Sequence, residues 1–299
     1  MPRMSMLVLV SLALAAAACG ERPEPLEAEL SAYPVTVRGA AEDPVVAQEP
    51  PRRIVALTPA AAELVGALGA GERLVGIPSG VAVPGATRAR TVVRPSGLFE
   101  ASEVAALEPD AILAAPESDE DLLARLARRT GALVYLHPNT SIRDVVRATL
   151  DLGFVLGEPV AARRLAAAIR RDVARVGAAV AGRPPVRVFV DLGFFVPAPP
   201  DSLVADLARR AGGVLVPEGR NEPRALTPCQ VVRLGPDVVI LVVEPGDPPR
   251  PPATAFAACP ADVRQETVSA ERVARAGPAI AGGLADLARA LHGEAVSLR

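Results

Sequence analysis

Few residues in this 299-residue chain are suited to chemistry. All 32 basic residues are arginine, which excludes a Schiff-base lysine, a lysine general base and the lysine of a Walker-type phosphate loop. The only histidines are His137 and His292, too far apart in sequence for an H-E-x-x-H helix and too few for any three-histidine metal site. Cys19, Cys229 and Cys259 show no C-x-x-C spacing, against a zinc ribbon or thioredoxin-type site. Glu117, Asp119, Glu120 and Asp121 could be read as an acid and base pair of a glycosidase. They cluster, however, at a predicted helix N-terminus, where the helix macrodipole accounts for them. No catalytic residue, metal ligand or cofactor is assigned, and the chain is expected not to be an enzyme. Acidic and basic residues nearly cancel, 34 against 32 for a net charge of −2, so no footprint for a nucleic-acid backbone exists.

The elements that must position the remaining polar residues begin after an export label. Residues 1–19 carry Arg3 in a basic start, an apolar run and the small stretch Ala15 to Ala18. This segment is too short to span a bilayer, since an apolar run of about 15 residues covers roughly 22 Å against a core of roughly 30 Å. Ala16-Ala17-Ala18-Cys19 resembles a bacterial lipobox, although Ala16 stands where leucine is usual. The expectation is a lipid-anchored protein facing the periplasm or cell exterior, lipidated at Cys19; ordinary cleavage after an Ala-x-Ala site is the alternative. Residues 20–32, rich in Glu, Pro and Ala, are expected to be a flexible tether.

From Tyr33 onward strands alternate with helices, which predicts an α/β fold with parallel sheets covered on both faces. A small hairpin (33–38 with 43–46) precedes strands at 53–57, 74–77, 111–114 and 132–136, with helices at 60–68, 101–107 and 119–130. The second half repeats the order: strands at 186–191, 214–216, 237–243 and 263–268, helices at 202–211, 228–234, 253–258 and 278–291. The repeat is visible in letters, Ser102-Glu-Val-Ala-Ala-Leu-Glu-Pro-Asp-Ala-Ile-Leu113 against Cys229-Gln-Val-Val-Arg-Leu-Gly-Pro-Asp-Val-Val-Ile240. In both, proline ends a short helix and aspartate turns the chain into an apolar strand. Two Rossmann-like lobes, 33–139 and 182–299, are therefore expected, joined through 140–181 by a long backbone helix that permits modest closure.

The segments Pro51-Arg-Arg-Ile-Val-Ala-Leu-Thr-Pro-Ala-Ala-Ala-Glu63, Leu68-Gly-Ala-Gly71, Leu74-Val-Gly-Ile77, Leu107-Glu-Pro-Asp110 and Leu150-Asp-Leu-Gly153 carry a family resemblance. It continues through Ala211-Gly-Gly213, Leu234-Gly-Pro-Asp237 and Arg275-Ala-Gly-Pro278. In this order they resemble the extracytoplasmic solute-binding proteins that feed vitamin B12, haem and ferric siderophores to ABC importers. The resemblance implies a monomer that captures a corrinoid or ferric chelate between two lobes and delivers it to a membrane permease. Relatives dock through one glutamate on each lobe, eight residues before the Pro-Asp aspartate. Those positions are Ser102 and Cys229 here. Glu100 and Glu103 are candidate replacements on the first lobe, and none is evident on the second. A receptor or scaffold that no longer docks to a permease is the alternative this departure leaves open.

In such a fold the ligand belongs in the crevice outside the carboxyl ends of the strands. Candidates on the first lobe are Thr58, Pro59, Ser79, Arg94 and Glu117. On the second they are Phe194, Phe195, Asn221, Glu222, Arg224 and Arg275. Thr58 before Pro59 is equally a helix cap. Phe194 and Phe195, read as neighbours in an extended segment, are equally core filler and cleft wall. The arginines would suit carboxylate or phosphate groups of a ligand, and the absence of Trp favours aliphatic walls. His137 could serve a haem iron or be an exposed loop residue. Cys229 and Cys259 are expected at opposite ends of the second lobe and hence unbridged.

Overall fold

The computed structural model describes residues 33–218, 224–244, 256, 259 and 263–293. An antiparallel pair, β1 (Val35–Val37) and β2 (Val45–Ala47), forms the expected hairpin with Val35 opposite Ala47. The first lobe is a five-stranded parallel sheet of β3 (Ile54–Ala56), β4 (Leu74–Pro78), β5 (Arg90–Val93), β6 (Ala111–Ala114) and β7 (Leu133–Leu136). Its strand order is β5-β4-β3-β6-β7. Every residue of β3 and β6 is buried, because helices cover both faces of a parallel sheet and leave no position for a polar side chain. These helices are α1 (Pro59–Ala67), α2 (Ala101–Ala105) and α3 (Glu120–Thr130). β5 lies where the sequence reads as loop: Arg90 and Thr91 are exposed at the sheet edge, and only Val92 and Val93 supply buried apolar surface.

The second lobe is a four-stranded parallel sheet of β8 (Val186–Asp191), β9 (Gly213–Leu215), β10 (Val238–Val243) and β11 (Arg264–Ser269), in the order β11-β10-β8-β9. It packs with α6 (Leu203–Arg210), α7 (Pro228–Arg233), the short α8 (Ala270–Val273) and α9 (Ile280–His292). Apart from edge strand β5 the two orders correspond, β4-β3-β6-β7 to β9-β8-β10-β11. The helix expected at 253–258 falls outside the described residues except for Phe256.

The echoed Pro-Asp segments have the same job in each lobe. Asp110 accepts backbone N–H bonds from Arg52 (2.7 Å) and Arg53 (2.9 Å), and the Arg53 guanidinium returns to the carbonyls of Leu107 and Glu108. Asp237 likewise accepts from the Arg187 N–H (2.8 Å) while Arg187 donates to the carbonyls of Leu234 and Gly235. Each aspartate thus ties the entry of its own strand to the entry of the neighbouring one, and each arginine caps a short helix whose last carbonyls would otherwise lack partners.

Between the lobes run α4 (Ile142–Leu156) and α5 (Pro159–Val180). Neither is a free strut. The first turns of α4 (Ile142, Val145, Val146) bury into the second lobe's core, and its later residues (Ala148, Leu152, Val155, Leu156) bury into the first lobe's. α5 does the reverse, with Ala162 in the first core and Ala166, Ile169 and Val176 in the second. Gly157 closes α4 in the left-handed conformation at φ 73°, which a residue without Cβ adopts freely. A Cβ on Gly153 would come within 2.1 Å of the Ala162 Cβ, so glycine there sets how closely the two helices meet. Among the described residues no helix is long and apolar enough to cross a membrane.

Candidate functional site

A cleft of about 310 Å³ opens between the lobes. Its walls are the residues that leave the carboxyl ends of the strands. From the first sheet come Thr58 and Pro59 after β3, Ala115 after β6, and His137 and Asn139 after β7. From the second come Glu244 after β10, and Ala270, Glu271, Ala274 and Arg275 after β11. Both sheets are parallel, so every loop on this side has the same polarity and helix starts converge there. A larger hollow of about 440 Å³ lies along α4 and α5, lined by residues such as Arg143, Val146 and Arg170, and receives no strand ends.

Thr58 is the N-cap of α1, its Oγ1 accepting from the Ala61 N–H (3.2 Å), and it also lines the cleft. Pro59 occupies the first turn of the same helix. Arg275 lines the cleft as well, but its charge is engaged. Nη1 donates to Glu63 Oε1 across the lobes at 2.6 Å, and Nη2 donates to Glu271 Oε1 one helical turn away at 3.2 Å. Glu63 lies on α1 of the first lobe, so this bond joins residues 212 apart in sequence. Gly277 leaves room for it, since a Cβ there would fall 2.7 Å from Glu63 Oε2.

His137 is not an exposed loop residue. It is 2 % exposed, and its Nδ1 has no hydrogen-bond partner. Burial holds its pKa below the ordinary histidine value, while the Ala114 carbonyl and the Glu117 carboxylate pull weakly the other way. The ring is therefore neutral near pH 7, and its Nδ1 is enclosed by protein behind the cleft wall. Asn139 is held beside it by two 3.1 Å bonds from its Nδ2 to the Glu117 carboxylate. Glu117 thus orients a cleft residue from behind. Asp119 caps α3 by accepting from the Leu122 N–H (2.8 Å), with Glu120 and Asp121 in the first turn.

Other candidates do not gather at this cleft. Ser79 follows β4, where its N–H donates to the Val93 carbonyl. Arg94 is an exposed partner of Glu100 at 3.6 Å. Arg224 is exposed and outside the cleft walls. Asn221 and Glu222 lie outside the described residues. Phe194 and Phe195 are not in an extended segment: both have positive φ (54° and 58°), so the chain turns sharply after β8. Phe195 packs edge-to-face on Phe256 (ring centroids 5.5 Å apart), and Phe194 is 82 % exposed. Glu100 and Glu103 are exposed at the start of α2. His292 donates from Nε2 to the Ala211 carbonyl (2.8 Å), pinning the end of α9 to the turn before β9.

Cys229 and Cys259 are bridged, with Cα atoms 5.2 Å apart, contrary to the topological expectation. The expectation placed Cys259 at the far end of a helix. Instead Phe256 and Cys259 return to the end of the sheet where α7 begins, with Phe256 against Phe195. Among the described residues no group of three or more His, Cys, Asp or Glu could hold a metal ion.

Two parallel-sheet lobes, a helical connection buried in both and a cleft at the facing strand ends define a bilobal solute-binding protein. The chain belongs to the periplasmic binding protein family, whose model matches residues 54–225. A cobalamin-binding protein of Halobacterium salinarum is 29% identical over 318 aligned positions, covering 97% of this chain and 85% of the relative. Among solved structures, the periplasmic vitamin B12 binding protein BtuF of Vibrio cholerae superposes with a TM-score of 0.68 at 19% identity, covering 81% of this chain and 97% of that one. The Fe3+-hydroxamate transport protein of Saccharomonospora viridis gives 0.68 at 21% identity, with 87% and 100% covered. The haem-binding protein RhuT of Roseiflexus sp. RS-1 gives 0.66 at 21%, with 82% and 99% covered.

Proposed function

We propose that this protein captures a corrinoid, or a ferric siderophore or haem, in the cleft between its lobes and hands it to the permease of an ABC importer, tethered outside the cytoplasm by a lipid on Cys19. The observation that carries this reading is the interlobe cleft itself, where loops from the carboxyl ends of both parallel sheets converge on walls of small residues, Thr58, His137, Asn139, two carboxylates and the paired Arg275. Such a surface can hold a large ligand by shape and hydrogen bonds. The cobalamin-binding relative supports the corrinoid as first choice. Calorimetric titration of the purified protein with cyanocobalamin, haemin and ferric hydroxamates tests it. Saturable one-to-one binding of at least one is expected, and no heat with any of them refutes the reading.

Docking to the permease rests on Glu100 and Glu103, exposed at the start of α2. The bridged Cys229, at the position where relatives carry the second docking glutamate, favours a second reading: a sensor or scaffold of the same fold that has given up the permease. Co-purification with the permease encoded nearest to it separates the two. Loss of that complex on Glu100→Gln/Glu103→Gln supports delivery, and no complex under ligand-loaded conditions supports the sensor.

A further inference from the structure

The charges around the cleft allow the cargo to be narrowed, on the assumption that the capture reading above holds. Two carboxylates, Glu244 and Glu271, and one guanidinium, Arg275, line the cleft among the described residues, a net −1. Glu63 stands directly behind Arg275 and brings the set to −2. The guanidinium is thus not a free anion receptor. It lies between two carboxylates at 2.6 and 3.2 Å, with its charge more than balanced and both terminal nitrogens already donating. Glu244 is exposed and has no hydrogen bond or ion pair among the described residues. An anionic group entering this space meets net repulsion, moderated by water because Glu244 and Glu271 are exposed. A neutral amide N–H or a cation meets acceptors: the Glu244 carboxylate, the outer Glu271 oxygen and the Asn139 carbonyl oxygen.

We propose that the cleft selects cargo presenting neutral or cationic hydrogen-bond donors, such as the carboxamide arms of a corrinoid or an uncharged or cationic ferric hydroxamate, and rejects cargo presenting carboxylates. Arg275, the residue whose type suggests an anion site, works instead as a neutralised crosspiece. Glu63 is a specificity-determining residue that touches no ligand: it acts by cancelling the guanidinium.

The test uses the whole protein and three probes of different charge: cyanocobalamin (neutral), ferrioxamine B (cationic) and haemin (two propionates). In 50 mM NaCl the tightest neutral or cationic probe is expected to bind at least tenfold tighter than haemin, and raising NaCl to 500 mM should strengthen haemin binding, because salt screens repulsion. Glu63→Gln/Glu271→Gln, its fold checked by circular dichroism, should narrow the haemin disadvantage at least threefold while changing cyanocobalamin affinity less. Haemin binding as tight as the others, or weakened by salt, overturns the proposal even if the variant fails to fold. Silence from all three probes overturns the capture reading instead, and this proposal with it.

Discussion

Replacing Glu63 by glutamine keeps the side chain's size and removes only its charge, so it measures the tie between the lobes. In the structure Glu63 and Arg275 are 22% and 23% exposed, and Oε1 lies 2.6 Å from Nη1. A hydrogen bond to a charged group contributes about 1.5–3 kcal/mol. Two features lower that here: residual solvent contact screens the pair, and Arg275 keeps Glu271 at 3.2 Å when Glu63 is neutralised. The expected loss is about 1–2 kcal/mol, corresponding at about 2–4 °C per kcal/mol to a fall in Tm of roughly 2–8 °C for a chain of this size. The chain has no Trp, so urea unfolding is best followed by far-UV circular dichroism. A double-mutant cycle of Glu63→Gln and Arg275→Gln should return a coupling near 1 kcal/mol that shrinks in 500 mM NaCl. A coupling below about 0.3 kcal/mol in low salt would refute the claim that this bond helps to join the lobes.

Other expectations follow from single contacts. His137 has a folded-state pKa below its unfolded value of 6.5, so its contribution to stability is complete above about pH 6.5 and is lost as pH falls further. Asp151, raised by burial despite the Tyr135 hydrogen bond and Arg147, works in the opposite sense at the acid end. Thermal melts from pH 7.5 to 5 should therefore fall in the wild type and flatten in His137→Gln, and parallel curves would show the burial to be inconsequential. Gly283→Ala on α9 should cost more than about 2 kcal/mol, since its Cβ would lie 1.9 Å from the Arg272 backbone carbonyl oxygen. Gly177→Ala on α5, which meets nothing within 4 Å, should stabilise by about 0.5–1 kcal/mol; equal effects in urea titrations would contradict that packing. Opening the Cys229–Cys259 bridge, which spans a sequence separation of 30, should cost up to about 3–4 kcal/mol by loop entropy. A Cys229→Ser/Cys259→Ser protein with unchanged Tm would show that the bridge contributes nothing.

The two lobes were legible because parallel strands buried on both faces leave runs such as Ala111-Ile-Leu-Ala114 and Val238 to Val243, and because the Pro-Asp segments repeat a hydrogen-bonding device as well as letters. Edge strand β5 was not, since half its residues face solvent. Reasoning from strand ends led to the end of the sheets where the cleft opens, and three of the residues it named, Thr58, Pro59 and Arg275, line that cleft. It passed over Ala115, Asn139, Glu244, Ala270, Glu271 and Ala274, whose signal was simply their place at or just after β6, β7, β10 and β11. The state of Arg275 depends on Glu63, a residue of the other lobe, and no local pattern could reveal that. Phe194 and Phe195 misled because an extended backbone was assumed where the chain turns through positive φ. The disulfide misled because Cys259 follows a long connection whose return path no periodicity fixes.

The central claim is that cargo occupies the interlobe cleft. Ala274 lines it, is exposed and lies at the end of α8, so a bulky side chain there fills the cleft without entering either core. Calorimetric titration of Ala274→Trp with cyanocobalamin, beside the wild type, is the most direct measurement. A dissociation constant raised at least a hundredfold with an unchanged melting temperature is the predicted result, and an affinity equal to that of the wild type would contradict the account.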